Sequence, residues 1–259
     1  MEDPSKLLWQ DRLRRIGHTG WADHLVYGYD QLSRIKTIRK SLADFNRSSA
    51  LALDFGCGTG DFSKLLLSHG FFVCGYDPYV KPEIHDQKFF YCQNTAEIPY
   101  AERTVDLIIT ITVLDHILSD ISFVETIRLF GRLLNNTGRL IMLEYALDSE
   151  EDRKRYGLAN NYQAFRSFAV WRRVLEESGF KINRAIPIYL PFISPSPGFV
   201  RYSRDWRVRV VVKLAKLFGL RAPFLLKKIA ETYLKGESTE NYPASSPLKL
   251  MVCECVAPI

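Results

Sequence analysis

The chain is defined first by what it lacks. None of its apolar stretches approaches the roughly 20 residues that a membrane-spanning helix needs. Its start, Met1-Glu-Asp-Pro-Ser5, is acidic and polar, so no secretory leader is expected. Cysteine is scarce and odd in number: Cys57, Cys74, Cys92, Cys253 and Cys255. No C-x-x-C pair or nearby histidine pair accompanies them, which argues against a zinc site and for free thiols in a reducing, cytoplasmic setting. No tyrosine is followed four residues later by lysine, which excludes the Y-x-x-x-K signature of short-chain dehydrogenases. No G-x-G-x-x-G occurs where a dinucleotide fold would need it, and no appended nucleic-acid module is recognisable, so DNA is not expected as a partner.

What is present organises itself around Leu51-Ala-Leu-Asp-Phe-Gly-Cys-Gly-Thr-Gly-Asp-Phe-Ser63. An apolar run, Leu51 to Leu53, precedes three alternating glycines, Gly56, Gly58 and Gly60. A helical pattern follows, with Phe62, Leu65, Leu66 and Leu67 apolar. This reads as strand, glycine turn, helix. Glycines there permit positive φ and let a ligand approach the backbone without meeting a Cβ. The first amides of the helix would face that ligand. Asp54 and Asp61 flank the glycines, and two carboxylates suit a zwitterion better than a pyrophosphate.

The block L-D-x-G-C-G-T-G resembles the first motif of the class I S-adenosylmethionine-dependent methyltransferases. Further landmarks follow in that family's order. Phe71-Phe-Val-Cys-Gly-Tyr-Asp77 is an apolar run ending in an acid 21 residues after Gly56. Asn94-Thr-Ala-Glu-Ile-Pro-Tyr100 resembles D-A-x-x-L-P-F, with Asn94 in place of Asp. Val105 to His116 resembles the fourth strand and its L-E-H ending, with Asp115 in place of Glu. Asn135-Asn-Thr-Gly138 stands where a turn precedes strand five, Arg139 to Glu144. The resemblance covers residues 50 to 190. It implies a Rossmann-like, doubly wound α/β sheet of about seven strands with the last strand antiparallel, a helical cap before it and a helical insertion before the last strand. It implies S-adenosyl-L-methionine as cofactor, held by Asp54, Gly56, Cys57, Gly58, Gly60, Asp77, Pro78, Asn94, Thr95, Thr110 and Ile111. Arg34, or Tyr29, stands where relatives bind the methionyl carboxylate. His116 is the candidate general base; its other reading is a histidine that anchors the following helix. No metal is expected. The [DN]-P-P-[YF] motif of amino-methylating enzymes is absent after strand four, where Thr110-Ile-Thr-Val113 stands; Asp77-Pro-Tyr79 follows strand two instead.

Taken in order, residues 1–49 read as a helical cap: one helix up to Ile16, a break at Gly17-His-Thr-Gly20, and a second helix from Trp21 to Leu42. Residues 50–190 and 248–259 form the cofactor domain, with strands expected over Phe180 to Tyr189 and Leu248 to Val256. Residues 191–247 are an insertion. Pro191, Pro195 and Pro197 argue against regular structure at its start. Helices are expected from Asp205 to Gly219 and from Pro223 to Leu234. The net charge of +6 is concentrated here: Phe199 to Gly236 carries ten basic and two acidic residues, a balance of +8, leaving −2 for the rest. Three readings of this basic element stay open. It lies on an acidic membrane surface through 205–235, it covers an anionic substrate, or it packs its apolar stripe and leaves its lysines in water. The expected activity is methyl transfer to oxygen or nitrogen of a small-molecule acceptor, with anionic or lipid-linked acceptors in view. A non-catalytic protein that keeps the cofactor fold, and an RNA methyltransferase, are the alternatives.

Overall fold

The computed structural model describes residues 4–19, 24–43, 45, 49–148, 162–188, 192–196, 199–202 and 248–256. Two helices come first, α1 (Pro4–Ile16) and α2 (His24–Ser41). Then follow β1 (Leu51–Phe55), α3 (Asp61–Ser68), β2 (Phe72–Tyr76), β3 (Phe89–Cys92), β4 (Val105–Ile111), α4 (Asp120–Leu133) and β5 (Leu134–Leu147). A two-residue strand β6 (Arg166–Ser167) leads into α5 (Phe168–Glu177) and β7 (Phe180–Pro187). A hairpin, β8 (Phe192–Ser196) and β9 (Phe199–Tyr202), and the last strand β10 (Leu248–Cys255) complete the described elements.

The main sheet runs β3-β2-β1-β4-β5-β10-β7, with β6 beside β5. Strands β1 to β5 pair in parallel, whereas β10 is antiparallel to both of its neighbours. This is the doubly wound sheet that the alternating pattern implies. The β4 sequence Val-Asp-Leu-Ile-Ile-Thr-Ile shows why it is central. Its apolar residues serve both faces, so it has no polar alternation. Leu107 and Ile109 join Phe62, Leu65 and Leu66 of α3 and Ile38 of α2 on one face. Ile108 joins Phe123, Ile127 and Phe130 of α4 and Trp171 of α5 on the other. Serines start the helices of that second face: Ser119 accepts from the Ser122 amide and Ser167 from the Val170 amide. Such caps contribute about 1 kcal/mol each.

The topology puts several elements on one edge. Ligands of open parallel sheets bind beyond the carboxyl ends of the strands. Because β10 runs against both β5 and β7, the end of β7 and the start of β10 lie at that same edge. They are joined there by the Ile188 amide donating to the Leu248 carbonyl at 2.8 Å. The chain between β7 and β10 therefore starts and ends at this edge. The segment after β5 leaves from that edge as well.

Three expectations need correction. The prolines of 191–197 do not prevent pairing: β8 and β9 form an antiparallel ribbon, with a register shift between Ile193 and Ser196. Pro195 falls in that irregularity, where a residue without an N–H costs no ladder bond. Asn135 to Gly138 is not a turn before strand five but an irregularity within β5, between the pairs Val105–Leu134 and Leu107–Arg139. The Asn135 side chain accepts the Thr137 amide there, a local alternative to the ladder. The described part of the second helix is His24–Ser41, and Trp21 lies outside the described residues. Strand β7 stops at Pro187, short of Tyr189. The two helices expected at 205–219 and 223–234 lie outside the described residues, as does most of the charged run from Asp148 to Arg155. The side chain of Tyr29 is likewise outside them.

Candidate active site

The glycine turn is built from backbone. Gly56, Gly58 and Gly60 have φ of 79°, 50° and 83°. A Cβ at Gly56 would run into Val113, and one at Gly58 would stand 3.2 Å from the Thr19 hydroxyl. The turn is thus pressed between the loop after β4 on one side and the segment joining α1 to α2 on the other. The Gly56 and Cys57 amides both donate to the Tyr76 carbonyl at the end of β2, at 2.7 and 2.9 Å. The Gly58 amide donates to Asp77 Oδ2 at 3.0 Å.

Asp77 is a knot between the first two strand ends. Its Oδ1 accepts from the Tyr79 and Val80 amides at 2.9 Å each, while Oδ2 holds Gly58. Burial raises its pKa, and the three backbone donors pull the other way. Both of its carboxylate oxygens are thus engaged by backbone amides at the end of β2 and in the glycine turn. Pro78 beside it is exposed.

The remaining sequence candidates divide. Asp54 is 2 % exposed and its Oδ2 accepts from Ser63 at 2.6 Å, tying β1 to α3; burial pushes its carboxyl up to about 7. Cys57 is buried beneath the turn, 3.0 Å from a Cβ built at Gly75, and burial raises its thiol well above the usual range. Asn94 and Thr95 are exposed at the end of β3. Asn94 caps the short turn Thr95–Glu97, accepting from Ala96 at 3.0 Å, while Glu97 reaches back to the Asn94 amide. A capping box uses Asn as well as Asp, which accounts for the departure from the family pattern. Thr110 is fully buried, donating to Glu144 Oε1 at 2.9 Å, and Ile111 is buried beside it.

The N-terminal helices reach this edge at four points. Tyr27 and Gln31 of α2 both donate to Asp61 Oδ2 at 2.9 Å, just past the glycine turn. Burial and Asp61 push the Tyr27 phenol up to about 12, so it is a neutral donor. His18 stacks on Tyr27 with ring centroids 3.6 Å apart. Arg34 donates to the Thr112 hydroxyl at 2.6 Å and pairs with Asp30 at 2.6 Å. Burial works against the Arg34 charge, but Asp30 and Tyr145 more than restore it, so its pKa is raised. Its buried Nε has no hydrogen-bond partner among the described residues. Trp9 of α1 meets His116 edge-to-face at 4.8 Å.

The loop after β4 is held by side chains. Thr112 takes a left-handed φ of 53°, uncommon for a β-branched residue and typical of functional turns. Glu144, fully buried on β5, accepts from the Thr110 hydroxyl and from the Val113 and Leu114 amides at 2.9 to 3.3 Å. Burial and the nearby Asp115 push it up to about 8. Arg166, 6 % exposed, donates to the carbonyls of Leu114 and Ile117 and forks onto Asp120 at 2.9 and 3.0 Å. His116 Nδ1 lies 2.9 Å from the Tyr162 carbonyl. Asp115 is 1 % exposed, and its Oδ2 accepts from Gln163 at 2.6 Å. Glu144 and Arg166 escape a reading of the sequence as site residues. The one signal for Glu144 is an acid ending a hydrophobic strand. Arg166 follows a segment with no motif.

A cradle of backbone that no side chain could enter, an acid at the end of the second strand and a buried guanidinium with an unpaired N–H suit a ligand with a ribose and a charged amino-acid head. Solved structures share this architecture. One is phosphoethanolamine N-methyltransferase 2 of Haemonchus contortus in complex with S-adenosyl-L-methionine (TM-score 0.58, 15 % identity). That likeness covers 97 % of this chain, which spans only 60 % of the nematode protein. Another is a Haloferax volcanii protein, a putative methyltransferase solved with the Trm112 methyltransferase activator (TM-score 0.55, 11 % identity, 90 % and 94 % covered). In sequence, the chain is 26 % identical over 190 residues to an uncharacterized protein of Methanocaldococcus jannaschii, covering 70 % of this chain and 78 % of that one. Residues 27–184, from within the second cap helix into β7, match the sequence model of the methyltransferase domain, and the chain belongs to that family.

Proposed function

We propose that the protein transfers a methyl group from S-adenosylmethionine to oxygen or nitrogen of a small-molecule acceptor. The observation that carries this reading is the convergence of the glycine turn, Asp77 and Arg34 on one edge of the sheet. The turn offers close backbone approach, Asp77 offers an acceptor for the ribose hydroxyls, and the unpaired Nε–H of Arg34 offers a donor to the methionyl carboxylate. Asn94 and Thr95 border the place for adenine. When bound, the cofactor supplies a methyl group already activated on a sulfonium. The chain's own work is then alignment and exclusion of water. Glu144 and Arg166 fix the loop that faces the acceptor, and α1 and α2 close over it. His116 serves as proton acceptor for a hydroxyl or ammonium acceptor. The basic insertion, rooted at the same edge, favours an anionic or lipid-linked acceptor.

Titration calorimetry with S-adenosylhomocysteine, with NAD as control, tests the reading. Binding of the first alone is expected. Binding of NAD alone would overturn the cofactor assignment while leaving the fold intact.

A further inference from the structure

Asp115 holds an unusual pair of neighbours. It is 1 % exposed, and its two oxygens are treated differently. Oδ2 accepts from Gln163 at 2.6 Å, and the Asp115 carbonyl accepts from the Ala164 amide at 2.6 Å. Oδ1 is buried with no hydrogen-bond partner among the described residues. A buried carboxylate oxygen left unpaired costs roughly 1–3 kcal/mol or more, so a site that keeps one is built to receive a donor.

His116 Nε2 lies 3.8 Å from Oδ1. The other ring nitrogen, Nδ1, faces the Tyr162 carbonyl at 2.9 Å. A carbonyl only accepts, so Nδ1 carries the proton in the neutral ring and Nε2 presents a lone pair. Asp115 Oδ1 and His116 Nε2 are thus two acceptors 3.8 Å apart, with no donor between them among the described residues. A hydroxyl has one O–H and satisfies only one of them. A primary ammonium has three N–H donors and can satisfy both. Two acceptors each about 2.9 Å from one tetrahedral nitrogen stand roughly 4.7 Å apart, so the pair opens by about 1 Å, a small rotation of the part-exposed His116 ring. The turn below cannot follow it, because Glu144 and Arg166 hold its amides and carbonyls.

Resting on the methyltransferase reading above, we infer that Asp115 and His116 form the acceptor subsite and that the acceptor is a primary amine, bound as its ammonium. The Asp115 carboxylate takes its charge. One N–H bond breaks as its proton passes to His116 Nε2; the electron pair stays on nitrogen and makes it a nucleophile. The imidazolium so formed faces Asp115 Oδ1, which balances it, and the part-exposed ring returns the proton to water. Trp9 meets one side of the His116 ring edge-to-face at 4.8 Å and helps to orient it.

The test uses the full chain with S-adenosylhomocysteine present and methylammonium chloride as the probe, with methanol as the single-donor control and potassium chloride matching ionic strength. Histidine nitrogen shifts by NMR, assigned through the signal lost in His116→Gln, report tautomer and binding. In its neutral form the His116 ring is expected to carry its proton on Nδ1. Its signals should move saturably with methylammonium and not with methanol, with affinity falling at least about tenfold in Asp115→Asn. Melting temperature and homocysteine-cofactor affinity certify that the variant is folded. Should Asp115→Asn fail to fold, Asp115→Glu replaces it and is expected to retain the response. An imidazolium in the unliganded ring would overturn the inference, since it would pair with Oδ1 by itself. So would an equal response to methanol, an unchanged response in Asp115→Asn, or none at all, the last being the result for a site that holds only water. Failure to bind S-adenosylhomocysteine would sink the cofactor reading instead, and the methylammonium result would stand apart from it.

Discussion

The two loops that face each other across this edge are made in opposite ways. The glycine turn after β1 is a backbone object: its shape comes from three positive φ angles and from amides given to the Tyr76 carbonyl and Asp77. The loop after β4 has no glycine between Thr110 and His116. It is held instead by buried side chains from elsewhere in the chain, Glu144 from β5 and Arg166 from β6. The first loop presents open backbone and suits a ligand common to a whole family. The second presents side chains and suits the part of the reaction that varies.

Removing Glu144 should break the second loop most severely. Glu144→Ala leaves the Val113 and Leu114 amides and the Thr110 hydroxyl without their acceptor in a buried place, and truncating one partner of a buried network costs about 3 kcal/mol or more. Chemical denaturation should register that loss; a loss below about 1 kcal/mol would show that the loop holds itself. Asp77→Ala should act on the first loop. It is expected to weaken S-adenosylhomocysteine binding more than tenfold, about 1.4 kcal/mol or above, measured by calorimetry. Unchanged affinity would remove Asp77 from the cofactor site and leave it as a backbone staple.

The smallest effect concerns Asp54, below the first loop. Burial raises its folded pKa from 3.8 to about 7. An acid whose pKa is raised on folding binds more protons in the folded state, so it subtracts stability as pH climbs. The loss begins above the unfolded pKa, near 4, and is complete above about 7. Thermal melts of Asp54→Asn should therefore differ little from the parent near pH 4 and be relatively more stable at pH 8. A parallel pair of pH curves would mean that Asp54 is not the titrating group.

Much of the first loop could be read without a structure. Gly56, Gly58, Gly60 and Asp77 are close in sequence to the strands that position them, so spacing alone places them. The same local logic located β1, β2, β4 and β10. It failed at Pro195, where a ribbon tolerated a proline that a central strand would not, and at Asn135 to Gly138, where a turn signal became an irregularity inside a paired strand. Asp54 and Thr110 were legible as residues of the right segments, but not in the direction their side chains take. In a strand, successive side chains go to opposite faces, and these two reach Ser63 and Glu144 within the fold.

By itself, then, the sequence determined the order of strands and helices, the glycine turn and the acid that follows β2. Each depends on backbone preferences and hydrophobic period within a few residues. Only the tertiary structure decided the rest: that Arg34 meets Thr112, that Glu144 and Arg166 grip the loop from Thr110 to Ile117, that Asp115 faces His116 unpaired, and that the basic insertion is rooted at the ligand edge. Those contacts join residues up to 78 apart along the chain. Which polar groups meet over such a span is fixed by how sheet and helices bury their apolar faces, and buried groups must then take the partners that packing brings to them.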